Sequence, residues 1–155
     1  SGNRWASRQK KQDLLDEGFV RNLHHQMFNK TWKWAGTFRQ SNKNIGVDWS
    51  QVSVKLSELL QNTRYQIEHQ VFNEDEVAVR FHHQLVLIHA FANGNGRHAR
   101  LLADLLIMRL GRPRLTWGGA SESHTSSEVV RQKYLVALRT ADQGQIDGLI
   151  EFARS

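Results

Sequence analysis

The sequence predicts a mainly α-helical fold, a single bundle of helices carrying one small β-hairpin, and three observations predict it. Proline occurs once, at Pro113, so almost nothing interrupts a helix. Leu, Gln, Glu, Arg and Ala dominate, with few runs of β-branched residues. Apolar residues recur at steps of three and four in several stretches, the period of one helix face. With 155 residues, 39% hydrophobic and 23% charged, the chain is long enough for one core, too short for two, and too apolar for a disordered tail. Residues 1–155 are therefore read as one domain.

The elements follow in order. Leu14, Leu15, Phe19, Leu23 and Met27 mark a first helix over Asp13 to Phe28, with Asp13 placed to cap it. The stretch WKWAGTFRQSNKNIGVDW changes character. Trp32, Trp34, Gly36 and the Thr37-Phe38-Arg39 run precede a polar Ser41 to Asn44 tip and Gly46 follows it, which reads as a short hairpin. A second helix is expected over about Ser50 to His69. A third begins near Glu74, capped by Asn73, with Glu74, Asp75 and Glu76 in its first turn and Val77, Phe81, Leu85 and Ile88 facing the core. A fourth is expected from Gly96 or Arg97 to Leu110, stopped by Gly111 and Pro113. Two more cover about Ser126 to Ala141 and Ile146 to Ala153.

Composition narrows function. No cysteine occurs, which excludes disulfides and thiolate chemistry, and a cytoplasmic location is the default expectation. The longest apolar runs fall far short of the roughly 20 residues that span a bilayer, so no membrane partner is expected. Ser1-Gly2 reads as the remainder of a cleaved tag, with native N-terminal residues trimmed ahead of it. The net charge of +6 points to an anionic partner without choosing among nucleotide, nucleic acid and acidic protein.

The chemistry concentrates in HAFANGNGRHAR, residues 89 to 100. A glycine-rich turn opening a helix exposes backbone N–H groups and the positive end of the helix dipole, which together bind phosphate. Gly94, Asn95 and Gly96 have that form, and Arg97 and Arg100, three apart, can reach the same polyphosphate. His89 ends the preceding helix beside the loop, where an imidazole can take a proton at neutral pH. Taken singly, each part reads as a capped turn, a surface histidine or a solvated helix face. Their occurrence together within twelve residues points to a site.

This stretch resembles the Fic family motif HxFx[D/E]GNGRxxR, matching at His89, Phe91, Gly94, Asn95, Gly96, Arg97 and Arg100. TWKWAGTFRQSNKNIGV resembles the family's flap hairpin, and FHHQLVLIHAFANGNGRHARLLADLLIMRLGRP with the terminal EFARS resembles the subgroup called mobile mystery protein B, found with mobile elements in bacteria. The resemblance implies a Fic-type helical bundle that transfers AMP from ATP, with Mg²⁺, to a Ser, Thr or Tyr hydroxyl of a target protein. His89 would be the general base and Phe91 a core anchor for the loop. Asn95 and the backbone of Gly94 and Gly96 would hold the α- and β-phosphates, Arg97 would support them, and Arg100 would reach the outer phosphate. Gly36, Thr37, Phe38, Arg39, Gln40 and Ser41 would dock the target segment by strand addition.

Asn93 departs from the motif, because family members carry Asp or Glu there to hold Mg²⁺. An amide oxygen ligates this hard cation weakly. Three outcomes stay open: an active enzyme whose metal is held mainly by ATP, transfer of a different phosphate-containing group, or a nucleotide-binding domain with little catalysis. The family's inhibitory pattern [S/T]xxxE[G/N] is absent from residues 1 to 155, so control is expected from a separate antitoxin, from residues ahead of Ser1, or from nothing. The base pocket is expected within Thr116 to Tyr134, with Tyr134 or His124 beside the ring.

Two rival readings rank lower. His82, His83, His89 and His98 with Asp104 suggest a metal hydrolase, but neither HExxH nor a Cys/His zinc spacing occurs. One of His82 and His83 is expected to pack and the other to meet solvent. Arg97, Arg100, Arg109, Arg112 and Arg114 suggest a nucleic-acid stripe, yet interleaved aromatics are lacking, so nucleic acid is not an expected partner.

Overall fold

Helices form where the apolar period is strongest and end where local chemistry stops them. In the computed structural model, which describes residues 13–119 and 126–155, six α-helices follow one another. They are α1 (Glu17–Phe28), α2 (Val52–Glu68), α3 (Glu74–Ile88), α4 (Asn95–Arg109), α5 (Ser127–Asp142) and α6 (Asp147–Arg154), with a 3₁₀ turn at Trp49–Gln51 leading into α2. Asn73 caps α3 by accepting from the Glu76 N–H at 2.9 Å. Val77, Phe81, Leu85 and Ile88 are all buried, as their spacing predicts. Burying each large side chain contributes about 1.5–3 kcal/mol.

The start of α1 differs from expectation. Asp16, not Asp13, is the cap, accepting from the Phe19 N–H at 3.1 Å. Asp13 instead accepts from the Leu15 N–H at 2.9 Å and pairs with Arg64 of α2 at 2.7 Å, which holds the preceding turn out of the helix. The end of α4 follows a glycine-terminated pattern. Gly111 takes φ +86°, its N–H donates to the Met108 carbonyl and the Arg112 N–H to the Ile107 carbonyl. Those two bonds satisfy carbonyls the helix leaves open, and Pro113 follows.

No strand occurs among the described residues, so the expected hairpin is not seen. Its backbone makes local turns, with the Ala35 N–H donating to the Trp32 carbonyl and the Thr37 N–H to the Trp34 carbonyl, and otherwise pairs with the end of α3 and the residues after it rather than across a ladder. The Arg39 N–H donates to the Ala90 carbonyl at 3.0 Å and the Val47 N–H to the Ile88 carbonyl at 3.4 Å. Positive φ at Gly36 (+84°) and Gly46 (+95°) turns the chain at both ends of this stretch. The segment is a strap of turns laid across the end of α3.

Helices α3 and α4 pack against each other most extensively and stand between two apolar clusters. One joins them to α1 and α2 and includes Ala90 and Phe91. The other joins them to α5 and α6. The loop connecting α3 and α4 is thus anchored in the first cluster through Ala90 and Phe91. Asp75, at the start of α3, takes Arg154 of α6 at 2.5 Å, and those hydrogen bonds hold its carboxyl below the usual range. None of the described helices is long and apolar enough to cross a membrane.

Candidate active site

The candidate site grows from the turn between α3 and α4. His89 caps α3 in the left-handed region at φ +54°, its N–H donating to the Leu85 carbonyl. A non-glycine residue in that conformation costs about 1–2 kcal/mol, so the surroundings must impose it. Phe91 is fully buried and anchors the loop. Asn95 closes the loop: its side-chain oxygen accepts from the Phe91 N–H at 3.0 Å and its NH₂ donates to the Phe91 carbonyl at 2.8 Å. The Asn95 amide therefore faces inward, and only its backbone N–H is placed to meet a ligand.

Gly94 is the N-cap of α4 with φ +78°. A Cβ there would come within 2.7 Å of the Phe28 ring and 3.2 Å of Trp32, so both conformation and space demand glycine. Gly96 differs, since a Cβ would meet nothing within 4 Å. No side chain caps α4, so its first N–H groups open onto the cleft outside. Beneath the loop lies an aromatic bed: Trp32 stacks on Trp34 at 4.7 Å, and His24 stacks on Phe91 at 3.8 Å.

Two buried side chains tie the strap to this loop. His24 accepts from the Gly36 N–H at its Nδ1 (3.0 Å), so Nε2 carries the proton and donates to the Asn93 carbonyl (3.0 Å). Burial holds its pKa below the ordinary value, Arg97 adds to the effect, and the Asn93 carbonyl opposes it. Arg39, 4% exposed, spreads its guanidinium over four backbone carbonyls: Ser41 at 3.0 Å, Ile88 at 3.2 Å, His89 and Val47. Of the residues expected to dock a target, Arg39 thus points inward. Gly36, Thr37 and Arg39 already donate their N–H groups within the chain, Phe38 packs on Phe91 at 5.6 Å, and Gln40 and Ser41 are exposed.

His89, Gly94, Gly96, Arg97 and Arg100 line one cleft of about 500 Å³. Burial first, and then the charges of Arg39 and Lys43, depress the His89 pKa, so its imidazole is neutral at physiological pH. Arg97 lies over the Phe28 ring at 4.8 Å and Arg100 over the Tyr134 ring at 5.4 Å. The far wall is Arg131, Tyr134, Leu135 and Leu138 of α5, with Ile45 of the strap at the rim. Tyr134 Oη is 2.7 Å from His82 Nε2, and burial pushes the phenol up to about 12. Arg131 was not singled out in the sequence, although 131, 134, 135 and 138 share one helical stripe that could have revealed it. His124 lies outside the described residues.

The residues of this cleft do not fit a dedicated Mg²⁺ site. Its lining contains no carboxylate, and the Asn93 side-chain oxygen already accepts from the Gly94 N–H at 2.7 Å. The histidine cluster that suggested a metal hydrolase is dispersed. His82 pairs with Tyr134, His83 with Asp142 at 2.7 Å, and His98 Nε2 lies 2.9 Å from the Val20 carbonyl. Among the described residues no group of three or more His, Asp or Glu is placed to hold a metal. Both His82 and His83 are buried, contrary to the expectation that one meets solvent; His83 reaches an exposed carboxylate from inside.

Comparison with known proteins places this geometry. The family model described as Fic/DOC matches residues 14–107. The protein adenylyltransferase Fic of Aedes aegypti is 35% identical over 82 residues, which is 53% of this chain and 15% of that protein. Protein adenylyltransferase fic-1 of Caenorhabditis elegans is 55% identical over 38 residues, 24% of this chain and 8% of that one. The chain therefore matches only a small part of these relatives' length. A solved Fic-1 variant from C. elegans superposes with TM-score 0.75 at 24% identity, covering 99% of this chain and 46% of that one. The N-terminal Fic domain of a VirB-translocated Bep effector from Bartonella quintana, solved with bound ADP, gives TM-score 0.67 at 20% identity, covering 99% and 79%.

Proposed function

The chain belongs to the Fic/DOC family, and from that premise we propose that it is a protein adenylyltransferase, moving AMP from ATP to a Ser, Thr or Tyr hydroxyl of a target protein. One observation carries the reading: a neutral, strap-braced His89 and an uncapped helix start with two arginines share a single cleft. The names of the relatives as adenylyltransferases and the ADP in the Bartonella domain support it.

In this reading the N–H groups at the start of α4, with Arg97 and Arg100, bind the phosphates, while Tyr134, Leu135 and Leu138 flank the nucleoside. His89 accepts the proton of the target hydroxyl. The freed oxygen forms a bond to the α-phosphorus, the bond from that phosphorus to the bridging oxygen breaks, and pyrophosphate leaves with its electron pair. Such transfer depends on positioning and charge neutralisation more than on covalent help from the protein. Mg²⁺ arrives as the counter-ion of ATP. The target lies over the strap, at Gln40, Ser41 and Ile45, whose side chains are exposed. A separate antitoxin is one source of control.

The carboxylate-free lining also favours a second reading, a domain that holds nucleotide with little transfer. Incubation with ATP labelled in the α-phosphate separates the two. Label on this chain or on lysate proteins that disappears in His89→Ala supports transferase activity; saturable ATP binding without His89-dependent label supports the second reading. Label from the γ-phosphate alone would mean that a different group is transferred.

A further inference from the structure

The strap and the base share more than proximity. Carbonyls at the end of a helix lack helical donors and carry the negative end of its dipole. At the end of α3 two of them, Ile88 and His89, are taken by the Arg39 guanidinium, which on its other side takes Ser41 and Val47 of the strap. The contact is tight on a second, independent count. A Cβ on Gly46 would lie 2.7 Å from the His89 Cβ, 2.9 Å from Arg39 Nη2 and 3.1 Å from the Ile88 carbonyl, so the strap backbone rests directly on the base residue. A guanidinium offers five donors in a rigid fork, whereas a lysine offers three from one point and cannot span both segments.

Resting on the reading of His89 as the base, we propose that Arg39 is a positioning residue that joins the Ser41 to Val47 strap and His89 into one unit, so that engagement of a target on the strap and placement of the base are coupled. A target held on the strap then meets a base whose carbonyl hangs from the same guanidinium. Loss of the fork separates the two tasks without touching the nucleotide. The charges acting on the imidazole are Arg39 and Lys43 from the strap; Arg97, Arg100 and Arg131 line the same cleft, and Asp48 acts on Arg39.

The test uses the whole chain as Arg39→Lys, which keeps the charge and loses the fork, and Arg39→Met, which loses both. In steady-state transfer Arg39→Lys is expected to lower kcat about tenfold or more and raise the target KM, with ATP affinity by calorimetry unchanged. Its pH profile keeps the wild-type acid limb, while that of Arg39→Met moves upward because one of the two cations that add to burial in depressing His89 is gone. Wild-type kcat and target KM in a folded Arg39→Lys overturn the proposal, as does an ATP affinity that falls in step with kcat. A second arm needs no activity. In amide NMR spectra of the unliganded protein, Arg39→Lys is expected to shift both residues 41–47 and residues 88–90 while leaving α6 in place. Shifts confined to one of the two segments overturn the coupling. If the wild-type chain transfers nothing, the functional reading fails and this arm still decides the role of Arg39.

Discussion

The two halves of the α3–α4 turn are built on opposite principles. From His89 to Asn93 the loop is closed upon itself: Arg39 takes the His89 carbonyl, His24 the Asn93 carbonyl, and Asn95 both polar groups of Phe91. From Gly94 to Arg100 the chain stays open, with no side chain on the first N–H groups of α4 and free space beside Gly96. Buried backbone groups are almost always paired, so the closed half is what any stable fold requires. The open half is where donors face a cleft and a ligand can replace water. Rigidity in the first half is what makes the second half a site rather than a frayed helix end.

On the proposed reading, removing the His89 imidazole removes the chemistry alone. His89→Ala is expected to lower label transfer by about a hundred- to ten-thousand-fold, the usual share of a general base. Thermal unfolding should find the variant folded. The pH response sharpens the same half. His89 must be neutral to accept a proton, and its pKa is depressed, so transfer should persist below the ordinary value of about 6.5 before it fails.

Stability follows a different route. His82 and His98 are buried with pKa values lowered to about 3, and burial is the main cause in each. Between about 6.5 and about 3 the unfolded chain binds protons that the folded chain refuses, so stability is full above that window. It falls with acidification, by up to about 1.4 kcal/mol per histidine per pH unit. Denaturant titrations from neutral pH to pH 4 measure this directly, and a flat profile contradicts the burial of these rings.

Two glycines of the open half answer different needs. Gly94→Ala places a Cβ against Phe28 and Trp32 at positive φ and should lower stability by about 1–3 kcal/mol in urea unfolding. Gly96→Ala should leave stability unchanged or slightly raised, because alanine is the better helix former. Its Cβ enters the cleft, so ATP affinity should fall. Smaller still is Asn93→Asp, which puts a carboxylate at the mouth of the cleft. Transfer by this variant should saturate at lower Mg²⁺ than wild type, and an unchanged Mg²⁺ dependence contradicts the account of Asn93.

How much of this could be read beforehand depended on the range of the interaction. The α3 face was visible because Val77, Phe81, Leu85 and Ile88 repeat at the helical period, and the turn at Gly94 because glycine there answers a local need. Asn95 resembled a phosphate ligand but braces the loop, since a short amide four residues from Phe91 can turn inward as well as outward. Arg39 resembled a flap residue that docks a target. Its four acceptors come from residues 41, 47, 88 and 89, and no local pattern announces such a meeting. The expected hairpin fails for the same reason, because the N–H groups of Arg39 and Val47 find Ala90 and Ile88 rather than each other's strand.

Calorimetric titration of ATP into His89→Ala, set beside its loss of transfer, tests the division of labour most directly. If, as proposed, the open half binds phosphate and the closed half carries the base, ATP affinity should match wild type while transfer is lost. An affinity that collapses with His89, or transfer that survives without it, would contradict the account.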